Sequence, residues 1–403
     1  MKFKDTKIGI VPSHWEVQPI KKITEIVTDY VANGSFASLA ENVTYKDEED
    51  VAVLIRLVDY NNGFQGKFVF IDEHAYQFLG KSKLFGGEII ISNVGANVGT
   101  VFRCPQLAYK MSLAPNSVMV KFKGNDDFYF HWLRGFNGQQ MLKSIVTGSA
   151  QPKFNKTNFK EMLAPVPPIG EQNKIASILN TIDEKIEINK KINNNLEQQA
   201  QAIYQQMFID NARSNWAEGT LSDIADITMG QSPSGSSYNE DGTGTIFFQG
   251  RAEFGFRFPS VRLYTTEPKR MARSNDTLMS VRAPVGDLNV AHTDCCIGRG
   301  LAAIHSKSNH QSFVLYTMFS LKKQLDVFNG EGTVFGSINR NSLNDMPILI
   351  PSDDILDEFE RIVAPMDLTI RNNYDENCRL QDIRDTLLPR LMSGELDVSD
   401  IDI

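Results

Sequence analysis

The chain has 403 residues, 41% of them hydrophobic and 22% charged, which is long enough for two domains that each bury a core. No apolar run approaches the roughly 20 residues of a membrane helix, and the stretch with Lys2, Lys4, Asp5 and Lys7 lacks the apolar centre of a signal peptide, so no membrane is expected and the expected location is cytoplasmic. The net charge of -8 is regional: residues 353–403 hold fourteen Asp or Glu against five Arg, which leaves the rest at about +1 and does not exclude a nucleic-acid partner.

A Trp-led apolar pattern comes first, formed by Trp15, Ile20, Ile23 and Ile26. Short apolar runs at 51–58, 68–71, 88–92 and 118–122, separated by Gly, Asn and Pro turns, predict strands, and a helix is expected over 127–135. Pro165, Pro167 and Pro168 then mark a boundary. Beyond it, residues recur in steps of four and three through Ile175, Leu179, Ile182, Ile186, Asn189, Asn193, Leu196, Ala200, Ile203 and Met207, a heptad seam.

The order then restarts. Trp216, Leu221, Ile224 and Ile227 open a second body, with strands predicted at 246–249, 277–281 and 300–304 and a helix over 311–325. After Pro347 and Pro351 a second seam runs through Phe359, Val363, Met366, Ile370, Asn373, Asn377, Leu380, Arg384, Leu387 and Leu391. Each long helix could extend over about 35 to 39 residues, or roughly 50 to 58 Å. Pro365 should kink the second or delay its start, and Arg384 occupies a seam position.

These restarts are a duplication. A shift of 184 residues lays 148–208 on 332–392 without a gap, pairing Asn155 with Asn339, Met162 with Met346, Asp183 with Asp367 and Leu196 with Leu380. A shift of 201 pairs the two Trp-led openings. If the two polar-faced helices pack on each other, connectivity makes them antiparallel, which brings Asn189 and Asn193 to Asn373 and Asn377. Amides inside an apolar seam resist sliding, since any slip sets them against Leu or Ile.

Catalytic motifs are missing: there is no Walker loop, HExxH, GxSxG or Asn-Pro-Pro-Tyr loop. The four cysteines form no CxxC, and His292, Cys295 and Cys296 lack a second ligand pair, so neither a disulfide framework nor a metal site is expected. The chain reads as no enzyme, with no cofactor of its own.

Its loops instead carry side chains suited to DNA. Arg pairs with guanine and Asn or Gln with adenine, while Lys and Ser hold phosphates. In the first body the candidates are Arg56, Asn61, Gln65, Asn93, Asn97, Gln151, Lys153 and Lys156. In the second they are Gln231, Ser234, Tyr238, Gln249, Arg251, Arg270, Arg273, Arg282 and Arg299. Arg251, Arg257, Arg262, Lys269, Arg270, Arg273 and Arg282 together form a basic run faced only by Glu253, Glu267 and Asp276.

The Trp-led opening, the Pro-Val-Pro-Pro-Ile-Gly-Glu-Gln run from Pro165 to Gln172, the Gly148 to Pro152 turn with Asn155, the Gly230-Gln231-Ser232-Pro233 turn and the Leu388-Pro389-Arg390-Leu391-Met392-Ser393-Gly394-Glu395-Leu396 ending resemble the specificity subunit of a Type I restriction-modification system. The likeness covers almost the whole chain and departs at Ser352-Asp353-Asp354, where the family has a Pro-Gly-Glu-Gln type of helix start. It implies an α+β fold of two tandem target recognition domains, each followed by a long helix, the helices forming an antiparallel coiled coil with pseudo-twofold symmetry. The expected divisions are 1–164 and 214–350 for the recognition domains and 165–213 and 351–403 for the helical regions.

What the resemblance implies for function is a non-catalytic subunit that reads double-stranded DNA. Each domain would read half of a bipartite site, the helices would set the spacer, and two methyltransferase subunits using S-adenosylmethionine would dock, joined by restriction and motor subunits. Two alternatives stay open: an adaptor that assembles proteins without touching bases, and service in a modification system that is fused or has no restriction subunit.

Overall fold

The computed structural model describes residues 2–330, 336–399 and 401. By its internal contacts the chain divides into two compact units, residues 1–187 with 377–403, and residues 188–376. The copy of the Gly148 turn, which begins at Gly332, lies outside the described residues.

In the first unit, the strand Glu16–Pro19 pairs antiparallel with Leu163–Val166, so the body ends beside the place where it begins. Trp15 explains the Trp-led opening. It is almost fully buried, meets Phe128 edge-on at 6.5 Å, and its indole N–H donates to Glu171 Oε2 at 2.8 Å in the first turn of the long helix. One antiparallel sheet has the order Thr24–Asp29, Ser117–Phe122, Ile89–Ser92, Val101–Arg103. Ile89 and Ile91 belong to the core beneath the helix Asp126–Arg134, while Ile90 joins a separate cluster with Val53 and Ile55 of a second sheet. Strands covered on both faces read as unbroken apolar runs, which is why 88–92 shows no alternation. That second sheet runs Val69–Ile71, Ala52–Ile55, Lys110–Leu113, Lys83–Leu84, its middle pair parallel.

The second unit repeats the end-to-end strand pair and both four-stranded orders of this plan, while the hairpin of Phe3–Thr6 with Gly9–Pro12 has no copy among its described residues. Ala217–Thr220 pairs with Pro347–Ile350, and one sheet has the order Ala225–Met229, Leu301–Ser306, Thr277–Ser280, Leu288–Val290. The other runs Leu263–Thr265, Thr245–Phe248, Cys295–Ile297, Met271–Ala272, again with a parallel middle pair, and gains one edge strand, Tyr238–Asn239. Even the small helices correspond: Asn155 caps one by accepting from the Asn158 N–H at 2.8 Å, and Asn339 caps its copy by accepting from the Ser342 N–H at 2.9 Å. The mixed α+β architecture expected from the sequence is the one that forms.

The long helices span Ile169–Tyr204 and Asp353–Met392. The second starts ahead of Pro365 and continues through it, so the proline does not delay its start. Every named seam residue is buried or half-buried, whereas Ile188, Ile192, Leu368 and Ile383, off the seam, are exposed. Within the first unit, Ile175 and Leu179 share a core with Leu391 and Met392, and Asp183 accepts from Arg384 Nη1 at 3.1 Å. The arginine in the seam is thus matched by an acid. Within the second unit, Ala200 shares a core with Phe359 and Val363, Asn193 Nδ2 donates to the Ile370 carbonyl at 3.2 Å, and Asn373 Nδ2 donates to Asn193 Oδ1 at 2.8 Å. Asn189 Nδ2 donates to Glu376 Oε2 at 2.7 Å, and Asn377 is buried in the first unit.

Asn193 both donates and accepts, so its loss leaves two polar groups without their partner. Asn193→Ala should cost about 1–3 kcal/mol, read from the denaturant midpoint, while the double change Asn193→Leu with Asn373→Leu should cost clearly less than the sum of the singles. Additive losses would remove the amide pair as an interacting unit.

Candidate nucleic-acid interface

In the first unit the Gly-rich loop after Ile89–Ser92 is stitched to the segment before the small helix that Asn155 caps. The Gly95 N–H donates to the Pro152 carbonyl at 2.8 Å, the Phe154 N–H donates to the Asn93 carbonyl at 3.0 Å, and Val94 bridges to Lys153. This brings Asn93, Asn97, Gln151 and Lys153 to one edge, with the last three exposed. Asn93 is half-buried: its Nδ2 donates to the Phe154 carbonyl at 3.1 Å, and its Oδ1 is buried without a hydrogen-bond partner among the described residues.

Arg56 lines a cleft of about 340 Å³ with Ser92, Val94, Asn116 and Ser117, so it faces the same edge. Its guanidinium is already held by the buried Asp59, through Nη2 to Oδ1 at 2.6 Å and Nε to Oδ2 at 3.0 Å. That pairing holds the Arg56 pKa above its ordinary value and fixes the direction of the fork. Asn61 and Gln65 are exposed one turn further on, where Gly63 and Phe64 both have positive φ. Lys156 is paired with Asp29 at 2.8 Å. Sequence reasoning missed Asn116, whose left-handed φ of 67° carries it across the rim and whose carbonyl accepts from the Asn93 N–H at 3.0 Å. The Pro115-Asn116 dipeptide was the available turn signal.

In the second unit three loops converge. The Gln231 N–H donates to the Ile297 carbonyl at 3.0 Å, the Gly298 N–H to the Phe248 carbonyl at 2.8 Å, and the Val281 N–H to the Gly300 carbonyl at 3.0 Å. Backbones approach so closely that a Cβ on Gly230 would stand 2.2 Å from the Gly298 carbonyl oxygen, and one on Gly298 would stand 2.8 Å from that of Gln249. Gln231, Gln249, Arg282 and Arg299 therefore share one exposed edge. Arg270 is exposed beside it, its carbonyl accepting from the Ile297 N–H at 2.9 Å. Ser234 bonds Ser236 at 2.8 Å, and the Tyr238 hydroxyl donates to the Pro233 carbonyl at 3.1 Å while its ring packs on Phe247 at 4.9 Å.

The basic run expected over 251–282 does not form one patch. Arg257 is buried, with Nη2 2.9 Å from Glu197, Nη1 3.1 Å from Asp367, and a bond to the Tyr316 hydroxyl at 3.2 Å. Burial works against its charge, but Tyr316, Asp367 and Glu197 outweigh that and hold its pKa above the arginine value. A guanidinium enclosed in this way cannot reach a phosphate. Arg262 is paired with Glu253 at 2.6 Å and Arg251 with Asp287. Arg273 bonds His305 at 3.2 Å, near the end of Leu301–Ser306, whereas Arg299 precedes its start. Six residues of strand, roughly 20 Å, lie between them, so Arg273 stands apart from the Arg282 and Arg299 edge.

Cys295 lies in a strand, where burial pushes its thiol up to about 12, and His292 pairs with Asp375 at 2.6 Å. Among the described residues no group of three or more His, Cys, Asp or Glu could hold a metal ion, and no helix is long and apolar enough to cross a membrane.

Comparison with known proteins gives this geometry a family. The model of the type I restriction modification DNA specificity domain matches residues 12–198 and 213–373. The chain is 29% identical to a Methanocaldococcus jannaschii protein assigned as the MjaX type I restriction enzyme specificity subunit, over 98% of this chain and 97% of that one. It is 24% identical to the MjaIX specificity subunit of the same organism, over 99% and 97%. A solved type I restriction-modification S subunit from M. genitalium has a similar fold, with a TM-score of 0.58 and 16% identity over 94% of this chain and 96% of that one. The chain belongs to the type I restriction modification DNA specificity family.

Proposed function

We propose that this protein is the non-catalytic DNA-recognition subunit of a cytoplasmic type I restriction-modification complex. Residues 1–164 and 214–350 each read one half of a bipartite duplex site. Residues 165–213 and 351–403 pair as an antiparallel coiled coil, with Asn189, Asn193, Asn373 and Asn377 setting its register and thereby the spacer. The pseudo-twofold repeat offers like docking surfaces to two methyltransferase subunits, which bring S-adenosylmethionine, and restriction and motor subunits complete the assembly.

The observation that carries this reading is one strand order furnished with two different polar edges. In the first unit the edge holds Arg56, Asn93, Asn97, Gln151 and Lys153; in the second it holds Gln231, Gln249, Arg282 and Arg299. A shared scaffold with unlike side chains fits a protein that performs the same task on two different sequences.

Exchanging residues 215–345 for the corresponding part of another member should change one half of the methylated sequence and leave the other intact. Adding about four residues after Asn193, with a matching insertion in the second helix, should lengthen the spacer between the half-sites. Both outcomes are read by mapping methylated adenines, and a site unchanged in both experiments would favour a protein-only adaptor. The two kinds of arginine should also separate. Arg282→Ala should leave stability within about 0.5 kcal/mol and lower the slope of log affinity against log salt by about one. Arg257→Ala should cost about 3–5 kcal/mol of stability, because it strands Asp367 and Glu197, while changing that slope little.

A further inference from the structure

The arginines of the second unit's basic run stand in different conditions. Arg257 is enclosed, Arg251 shares Asp287 with Lys322, and Arg270 and Arg282 are simply exposed. Arg262 differs from all of them. Its side chain is 60% exposed, yet its Nη2 donates at 2.6 Å to Oε1 of Glu253, a carboxylate that is itself buried.

An ion pair between two exposed side chains leaves both mobile and contributes little. Here one end is fixed. Glu253 closes the short turn Arg251–Glu253 just after the strand Thr245–Phe248, and its carbonyl accepts from the Ser260 N–H at 2.8 Å. Arg262 directly precedes the strand Leu263–Thr265, whose Leu263 is paired with Phe247. This antiparallel register sets Arg262 beside the exit of the middle strand, where Gln249 leaves for the polar edge. The first unit has the same device at the same place in its plan. There the short helix Leu57–Asn61 follows the middle strand Ala52–Ile55, and its buried Asp59 holds Arg56 at the polar edge. The arginine comes from the end of the middle strand itself in the first unit and from the neighbouring strand in the second. An incidental surface pair has no reason to recur at that point with its arginine drawn from elsewhere.

We propose that Arg262 reads a guanine in the half-site of the second unit, and that Glu253 is the positioning residue that aims it. Arginine donates two parallel bonds to guanine O6 and N7, a contact that demands a fixed fork, whereas a mobile arginine serves any phosphate. Glu253 takes one of the five guanidinium N–H donors and leaves enough for both bonds to the base. Because its carboxylate is buried, it cannot swing out and release the fork. This inference rests on the DNA-reading function proposed above.

The test uses the full chain and duplexes bearing its own bipartite site, in the half that exchange of residues 215–345 alters. Each G·C pair there is replaced in turn by A·T, and each guanine in turn by 7-deazaguanine, which pairs normally but lacks the N7 acceptor. At one position both replacements should weaken binding, A·T by about tenfold or more. That loss should fall below about threefold in Arg262→Lys, which keeps a charge beside Glu253 without the fork, and in Glu253→Gln. The other half should be discriminated as before, since a merely structural role would weaken all duplexes alike. No such position, or a loss of full size in either variant, overturns the proposal. If the intact site is not preferred over a scrambled duplex, the DNA-reading function fails as well; if it is preferred and both variants discriminate like the wild type, only the assignment of Arg262 and Glu253 fails.

Discussion

Each body depends on the pairing of the strand that follows its leading tryptophan with its last strand. Glu16–Pro19 bonds to Leu163–Val166, and Ala217–Thr220 bonds to Pro347–Ile350, so more than a hundred residues of each body begin and end on neighbouring strands about 5 Å apart. This clamp isolates what lies between from what lies beyond. Loops inside a closed body can change length and chemistry without moving the point at which the chain enters its helix. The buried tryptophan and its bond to Glu171 join that point to the helix in the first unit.

The clamp also accounts for the pattern of likeness within the chain. Where the two copies meet helices and the clamp, residues are held by heptad spacing and by paired caps, and the sequences still match. In the sheets they match far less, yet strand order and the parallel middle pair are the same. Pairing order is set by backbone hydrogen bonds, which many side chains satisfy equally well. Core positions need only be apolar and of suitable volume, so identity there fades while architecture remains.

This bears on what could be read from the sequence. The long helices, the predicted strands and the boundaries of the duplication were legible because periodicity and proline placement act over many residues. The common strand order of the divergent parts was not, because alternation and turn residues say where a strand lies and nothing about its neighbour. The Arg257 error has a related cause. A row of basic residues looks like a surface until the acids that enclose one of them, Glu197 and Asp367, arrive from segments sixty and more than a hundred residues away. Asn116 escaped notice for the opposite reason, since its importance lies in one backbone angle.

The acidity of residues 353–403 takes on a further meaning once most of that segment is seen to fold as the helix Asp353–Met392. Fixed along a rod, its carboxylates make a standing negative field, whereas the exposed Arg282, Arg299 and Lys153 sit on loops of the bodies. A polyanion drifting toward such a surface is turned away from one element and drawn to others before any atom touches. A net excess of carboxylates over arginines held along one helix acts on a charged partner at a range of about one Debye length, where no hydrogen bond can act.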